Sequence, residues 1–221
     1  TLKVAYLYAK TVTLLPTHWP RTNAIMQRNR RIGTSLAGVT NFVDSRGLPL
    51  LRQWMDLGYN EINRLDKTYS EWLGVRESIK KTTVKPGGTT PQLPGSTPGI
   101  HWGAGGSTFM RSIRMSKEDP MVFLLDKAGY TIEIDVANPK STVVVYFPIK
   151  SNAKRSENEV SVFEKAALAA LAQRYWSDNS VSVTLSFDPE TESQHVGTIL
   201  SMYEGQLKTV SFLPMIKGGA Y

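Results

Sequence analysis

The sequence predicts an α/β fold built on a parallel sheet of five strands joined by crossover helices. Three observations carry this reading. Five short segments, at roughly 32–38, 79–84, 142–149, 181–187 and 208–213, are rich in β-branched and aromatic residues. Helical patterns fill the four gaps between them. Two of the segments, 142–149 and 181–187, read as strands buried on both faces, the first being nearly unbroken in β-branched and aromatic residues. An open five-stranded sheet leaves edges exposed, whereas a lobe that closes with a missing partner half does not.

Taken in order, Leu2, Ala5, Tyr6, Ala9 and Val12 recur at helical spacing. Residues 31–39 are apolar and β-compatible. Leu48, Leu51, Met55, Gly58, Ile62, Leu65, Tyr69 and Trp72 recur every three or four residues and mark a long amphipathic helix. Segment 79–84 runs into 86–106, a stretch concentrated in glycine and proline that reads as loop. Ser116 precedes a helix over 117–128 that Gly129 stops. Segments 131–136 and 142–149 flank Asn138-Pro139, a hairpin signal in which Glu133 and Asp135 are expected to face solvent. Ser156 and Glu159 form a capping box before an alanine-rich helix to about Trp176. Asp188-Pro189 reads as the cap and first position of a helix to about Tyr203, and Pro214 closes the last strand. Parallel sheets gather their chemistry at the carboxyl ends of the strands, where loops begin near Gly38, Pro86, Pro148, Asp188 and Pro214.

Composition narrows the chemistry. The 221 residues contain 26 Lys and Arg, 19 Asp and Glu, and no cysteine. Disulfides, thiolate catalysis and cysteine-ligated metals are therefore excluded within the chain. The charge is lopsided: six bases and no acid precede Asp44, while the other 178 residues hold 20 bases and 19 acids. A solvated face or a docking surface explains this better than nucleic acid does. No apolar run approaches the ~20 residues of a membrane span. Residue 1 is Thr and no signal peptide is visible, so both ends read as cuts in a longer cytoplasmic polypeptide.

The strongest local motif is Lys85-Pro86-Gly87-Gly88-Thr89-Thr90-Pro91, which follows a strand. Two glycines let backbone N–H groups converge and two hydroxyls add donors, a nest suited to phosphate. The Walker A and dinucleotide fingerprints are absent, and an ordinary turn remains an alternative. Ser177-Asp178-Asn179-Ser180 reads as a helix-to-strand turn before a polar site. His18, His101 and His195 lack metal-ligand spacing. Arg28, Arg30 and Arg31 suit a salt bridge or an anion, and the alternating stretch 110–115 could present Arg111 and Arg114 to an anion or an acidic partner.

Four segments in order resemble the adenosylcobalamin-dependent ribonucleotide reductases, above all the monomeric ribonucleoside-triphosphate reductases. They are Asn29-Arg-Arg-Ile-Gly-Thr-Ser-Leu-Ala-Gly38, Thr83-Val-Lys-Pro-Gly-Gly-Thr-Thr90 followed by Gly99-Ile-His101, Arg111-Ser-Ile-Arg-Met-Ser-Lys-Glu-Asp-Pro120, and Asp178-Asn-Ser-Val-Ser-Val-Thr184. The resemblance spans residues 1 to 213 and implies several things. The fold would be the carboxyl-terminal half of a ten-stranded α/β barrel, occupying 1–221. The cofactor would be adenosylcobalamin, which initiates a thiyl radical on a finger-loop cysteine. That cysteine and the first of the reducing pair would lie upstream, on the amino-terminal half of the barrel. The chain itself would hold no catalytic residue and no metal. Pro86, Gly87, Gly88, Thr89 and Thr90 would bind the phosphates of a ribonucleoside triphosphate. Family members commonly carry Ser where this chain has Gly87, which removes one donor and keeps the backbone nest. Redox-shuttle cysteines would lie beyond Tyr221, and a thioredoxin-like protein would be the reductant. A non-catalytic nucleotide-binding or interaction module on the same scaffold is the alternative suggested by zero cysteine. A glycyl-radical enzyme is a third, less favoured because no glycyl-radical signature occurs near the carboxyl end.

Overall fold

The computed structural model describes residues 1–88, 90–92, 94–103, 108–150 and 152–215. Helix α1 (Leu2–Val12) packs on the long helix α4 (Leu48–Leu73), with α2 (Pro20–Asn29) and α3 (Val39–Arg46) between them in the chain. The helical stripe read from the sequence is the buried face of α4: Leu51, Met55, Ile62, Leu65 and Tyr69 are all inside. Gly74 ends α4 in the left-handed conformation, at φ 62°.

The parallel core is built from short strands. β1 (Thr34–Ser35) pairs with β2 (Thr82–Thr83), Thr34 opposite Thr82. A single bridge from Val84 to Val181 links β2 to the segment leading into β6 (Thr184–Phe187). β6 pairs with β7 (Ser211–Pro214), Thr184 opposite Ser211. Leu185, Ser186 and Phe187 are all buried, which is the two-sided burial expected of this strand. Helix α6 (Val162–Tyr175) packs against both α4 and β6. Its buried residues lie on all sides, including Val162, Ala166, Leu168, Ala169 and Ala172, because it is enclosed rather than resting on one surface.

One of the five predicted strands, the third, does not join these parallel pairs. Segment 142–149 falls in β5 (Thr142–Lys150), the centre of an antiparallel sheet in the order β3-β5-β4, with β3 (Thr108–Ser116) and β4 (Thr131–Ile134) beside it. Two local causes explain the correction. The Asn138-Pro139 turn closes a hairpin, leaving no length for a helical crossover. The alternating stretch 110–115 is itself a strand, pairing Ser116 with Thr142 through Thr108 with Lys150. The apolar run also has a one-sided burial: Val143 and Val145 are buried, while Pro148 is exposed. So four parallel segments remain of the five expected, and Pro148 lies within β5 rather than at a loop start.

Other boundaries move for identifiable reasons. Helix α5 (Pro120–Lys127) starts late because Asp119, not Ser116, caps it, its carboxylate accepting from the Met121 amide at 2.9 Å. The Ser156–Glu159 capping box closes a 3₁₀ turn, Glu157–Glu159, and α6 has its own cap in Ser161. Asp188 accepts from the Glu190 amide in a turn. Glu192 reaches back to the amides of Val162 and Asp188, which holds that stretch out of helix, so α7 (Val196–Tyr203) begins only at Val196. Asp135 is buried rather than solvent-facing, accepting from Arg114 Nε and the Asn138 amide. Glu133 is exposed, as expected.

Candidate functional site: a glycine loop at the carboxyl end of the parallel strands

The glycine loop leaves the sheet directly after Val84, at the carboxyl end of β2. Its entry is tied to β1: the Lys85 amide donates to the Ser35 hydroxyl at 2.9 Å. Its return is tied to α3. The Gly38 amide donates to the Thr97 carbonyl at 2.8 Å, and the Thr97 amide and hydroxyl both donate to Asn41 Oδ1 at 2.8 Å. Gly99, at φ +57°, lies so close to Lys85 that a Cβ there would stand 3.1 Å from its carbonyl oxygen. Entry and exit are thus clamped, and the tip projects between them.

The tip is where donors are free. Pro86, Gly88 and Thr90 are exposed and Gly87 is half-buried. Thr89 lies outside the described residues, as do Leu93 and residues 104–107 of the same stretch. Among the described residues, the amides of Gly87 and Gly88 donate to no partner. Among the described residues nothing lies within 4 Å of a Cβ built on Gly88, leaving space over that residue for a ligand. Gly87 is constrained for a different reason: a Cβ there would sit 2.9 Å from Cδ and Cγ of Pro91. Thr90 opens a 3₁₀ turn, Thr90–Gln92. Exposed backbone donors at a strand end, with no Cβ in the way, can hold the oxygens of an anion.

Cations stand beside this nest. Lys85 is exposed at its base. Arg111, from β3, brings its guanidinium to the tip and donates from Nη2 to the Gly88 carbonyl at 3.2 Å. The other basic candidate of that strand is committed elsewhere, since Arg114 pairs with buried Asp135 at 3.1 Å.

Several of the remaining polar candidates hold the fold together. Arg30 caps α2 in the left-handed conformation, φ 42°, and donates from Nη1 to Thr13, while Arg28 is exposed and donates to Asn29. Asp178 accepts from the Tyr59 hydroxyl and the Lys81 amide, and Asn179 donates to the carbonyls of Ile32 and Thr82. That cluster knits helix to strand, as a turn should. His101 Nε2 accepts from the Thr184 amide at 3.1 Å, and burial lowers its pKa below the ordinary 6.5. Among the described residues no group of His, Asp or Glu could hold a metal ion.

Sequence reasoning missed the supports of the loop: Ser35, Asn41 and Thr97 carry no chemical signature of their own. Gly99 did, through the Gly99-Ile-His101 motif, but its close approach to Lys85 needs the fold to be seen. Arg111 was a candidate without a location; strand pairing supplies one.

Comparison with known proteins shows what the chain is similar to. No protein-family model matches the chain. The adenosylcobalamin-dependent ribonucleoside-triphosphate reductase of Euglena gracilis is 46% identical over 222 residues, covering 100% of this chain and 30% of the relative. The enzyme of Lactobacillus leichmannii is 33% identical over 249 residues, covering 97% of this chain and 33% of the relative. A crystal structure of a B12-dependent class II ribonucleotide reductase superposes with a TM-score of 0.87 at 32% identity, covering 100% of this chain and 35% of that one. This chain is homologous to one segment of the ribonucleoside-triphosphate reductases. It spans about a third of the length of the relatives it matches, with those named for a probable activity, such as that of Dictyostelium discoideum, matching over 28% of their length. The fold shared with the class II reductase structure extends over the whole chain, so the antiparallel sheet and the parallel strands belong to one reductase-like segment.

Proposed function

We propose that the chain is the carboxyl-terminal half of the catalytic barrel of an adenosylcobalamin-dependent ribonucleoside-triphosphate reductase, residues 1–221 of this numbering being one piece of a longer cytoplasmic protein. The observation that carries the reading is the glycine loop: clamped at both ends, open at Gly88, and set at the carboxyl end of a parallel strand. In this reading Pro86, Gly87, Gly88, Thr89 and Thr90 hold the phosphates of a ribonucleoside triphosphate. The backbone amides bind oxygens and the bulk of the loop positions the ribose for reduction at its 2′ carbon. The four parallel segments belong to this half of the barrel, and the amino-terminal half comes from the rest of the protein. Every cysteine of the radical chemistry lies there too, as does the docking point of a thioredoxin-like reductant. Among the described residues no helix is long and apolar enough to cross a membrane.

Adenosylcobalamin, when bound, supplies the one-electron chemistry that starts the reaction. Two pockets among the described residues do not fit it. An apolar groove of about 500 Å³, between Leu36, Phe42, Trp54, Leu57 and Trp176, carries no charged or amide side chain for the amides that ring a corrin. A polar pocket of about 180 Å³ around Tyr59, Lys80, Arg174 and Lys208 is too small.

The test compares the 221 residues alone with the complete protein, each supplied with adenosylcobalamin, a dithiol and a ribonucleoside triphosphate. Deoxyribonucleotide forms only with the complete protein. Turnover by the 221 residues alone contradicts the proposal. A complete protein that binds triphosphate and yields no product makes the chain part of a binding module instead.

A further inference from the structure

We propose that Arg111 is the residue that makes the glycine loop prefer a triphosphate over shorter phosphate chains, an inference that rests on the phosphate-binding reading of that loop. The loop amides are neutral donors. They can seat one phosphate group, but each further group adds negative charge that the backbone cannot match. Arg111 is the cation that a separate element carries to the tip, reaching Gly88 at 3.2 Å from β3. Its register position opposite Phe147 in a nine-residue ladder fixes where the side chain starts. The Gly88 carbonyl takes one of five guanidinium donors. Among the described residues Arg111 has no carboxylate partner, unlike Arg114, which is paired with Asp135. A guanidinium with unused donors beside open space over Gly88 is placed to meet the phosphates that extend past the nest.

The experiment measures dissociation constants of a ribonucleoside tri-, di- and monophosphate by calorimetry, on the complete protein and its variants. Arg111→Gln keeps a donor for the Gly88 carbonyl and removes the charge. It should weaken the triphosphate about tenfold or more, the diphosphate less, and the monophosphate little. Arg111→Lys should recover part of the loss. Equal weakening of all three ligands by Arg111→Gln would make Arg111 a prop for the loop and overturn the inference. An unchanged triphosphate constant overturns it too. Gly88→Val separates the two levels: if it weakens triphosphate binding while Arg111→Gln does not, only the role of Arg111 falls. If neither variant weakens it, the loop reading itself falls.

Discussion

Lys10 Nζ lies 2.6 Å from Asp66 Oδ1, and both side chains are fully buried. The Tyr6 hydroxyl donates to the same oxygen at 2.8 Å, the Ser78 amide donates to Oδ2, and Lys10 also reaches the Ser78 hydroxyl and the Arg76 carbonyl. This knot ties α1 and α4 to the chain entering β2, and so sets the height at which the glycine loop begins. Burial lowers the Lys10 pKa, and hydrogen bonding and charge attraction from Asp66 oppose that shift. Burial and the Asp66 carboxylate push the Tyr6 hydroxyl far above its ordinary range, so it stays a donor. Removing one partner leaves a buried charge, so Lys10→Met should cost about 3–5 kcal/mol in denaturant unfolding. Lys10→Met combined with Asp66→Leu should cost less than the sum of the singles. A Lys10→Met variant as stable as the parent would show that the pair carries no such role.

The glycine loop makes a coupled prediction. A Cβ at Gly87 would stand 2.9 Å from the Pro91 ring. Gly87→Ser alone should strain the loop and weaken nucleotide binding several-fold. Gly87→Ser with Pro91→Ala should restore it, and a double-mutant cycle on the triphosphate dissociation constant reads the coupling. Additive effects would mean the ring moves aside without cost.

His101 gives a pH dependence with a defined sign. Its Nε2 accepts from the Thr184 amide, which requires the unprotonated ring, and burial holds its pKa below 6.5 in the folded state. The unfolded chain therefore takes up the proton first. This contribution is complete above about pH 6.5 and is lost as the pH falls below that value, until the native ring protonates as well. His101→Gln keeps an acceptor and cannot titrate. Thermal melts of parent and variant should diverge less at pH 5 than at pH 7.5, because the parent alone loses this contribution on acidification.

Much of this was legible before the fold was known. The spacing from Leu48 to Trp72 marked α4, although Trp72 itself is exposed, because apolar periodicity survives on a helix wherever one face is buried. That a loop follows Val84 was legible from the glycines and prolines that come after it. Segment 142–149 was misplaced because an apolar run reports β-structure and not its partner; the partner was set by the Asn138-Pro139 turn and by a strand hidden in the alternation of 110–115. Asp188 resembled a helix cap, but Glu192, acting from four residues on, decided that turn. Arg111 was recognisable as a cation and gained a place only through the ladder that aims it at Gly88.

The most direct test of the account is a structure of the complete protein bound to a ribonucleoside triphosphate in the absence of reductant. The account predicts that the phosphate oxygens lie within hydrogen-bond distance of the backbone amides between Gly87 and Thr90, with Arg111 turned toward the outer phosphates. Phosphates bound at any other part of the protein, with the space over Gly88 left free of them, would contradict it.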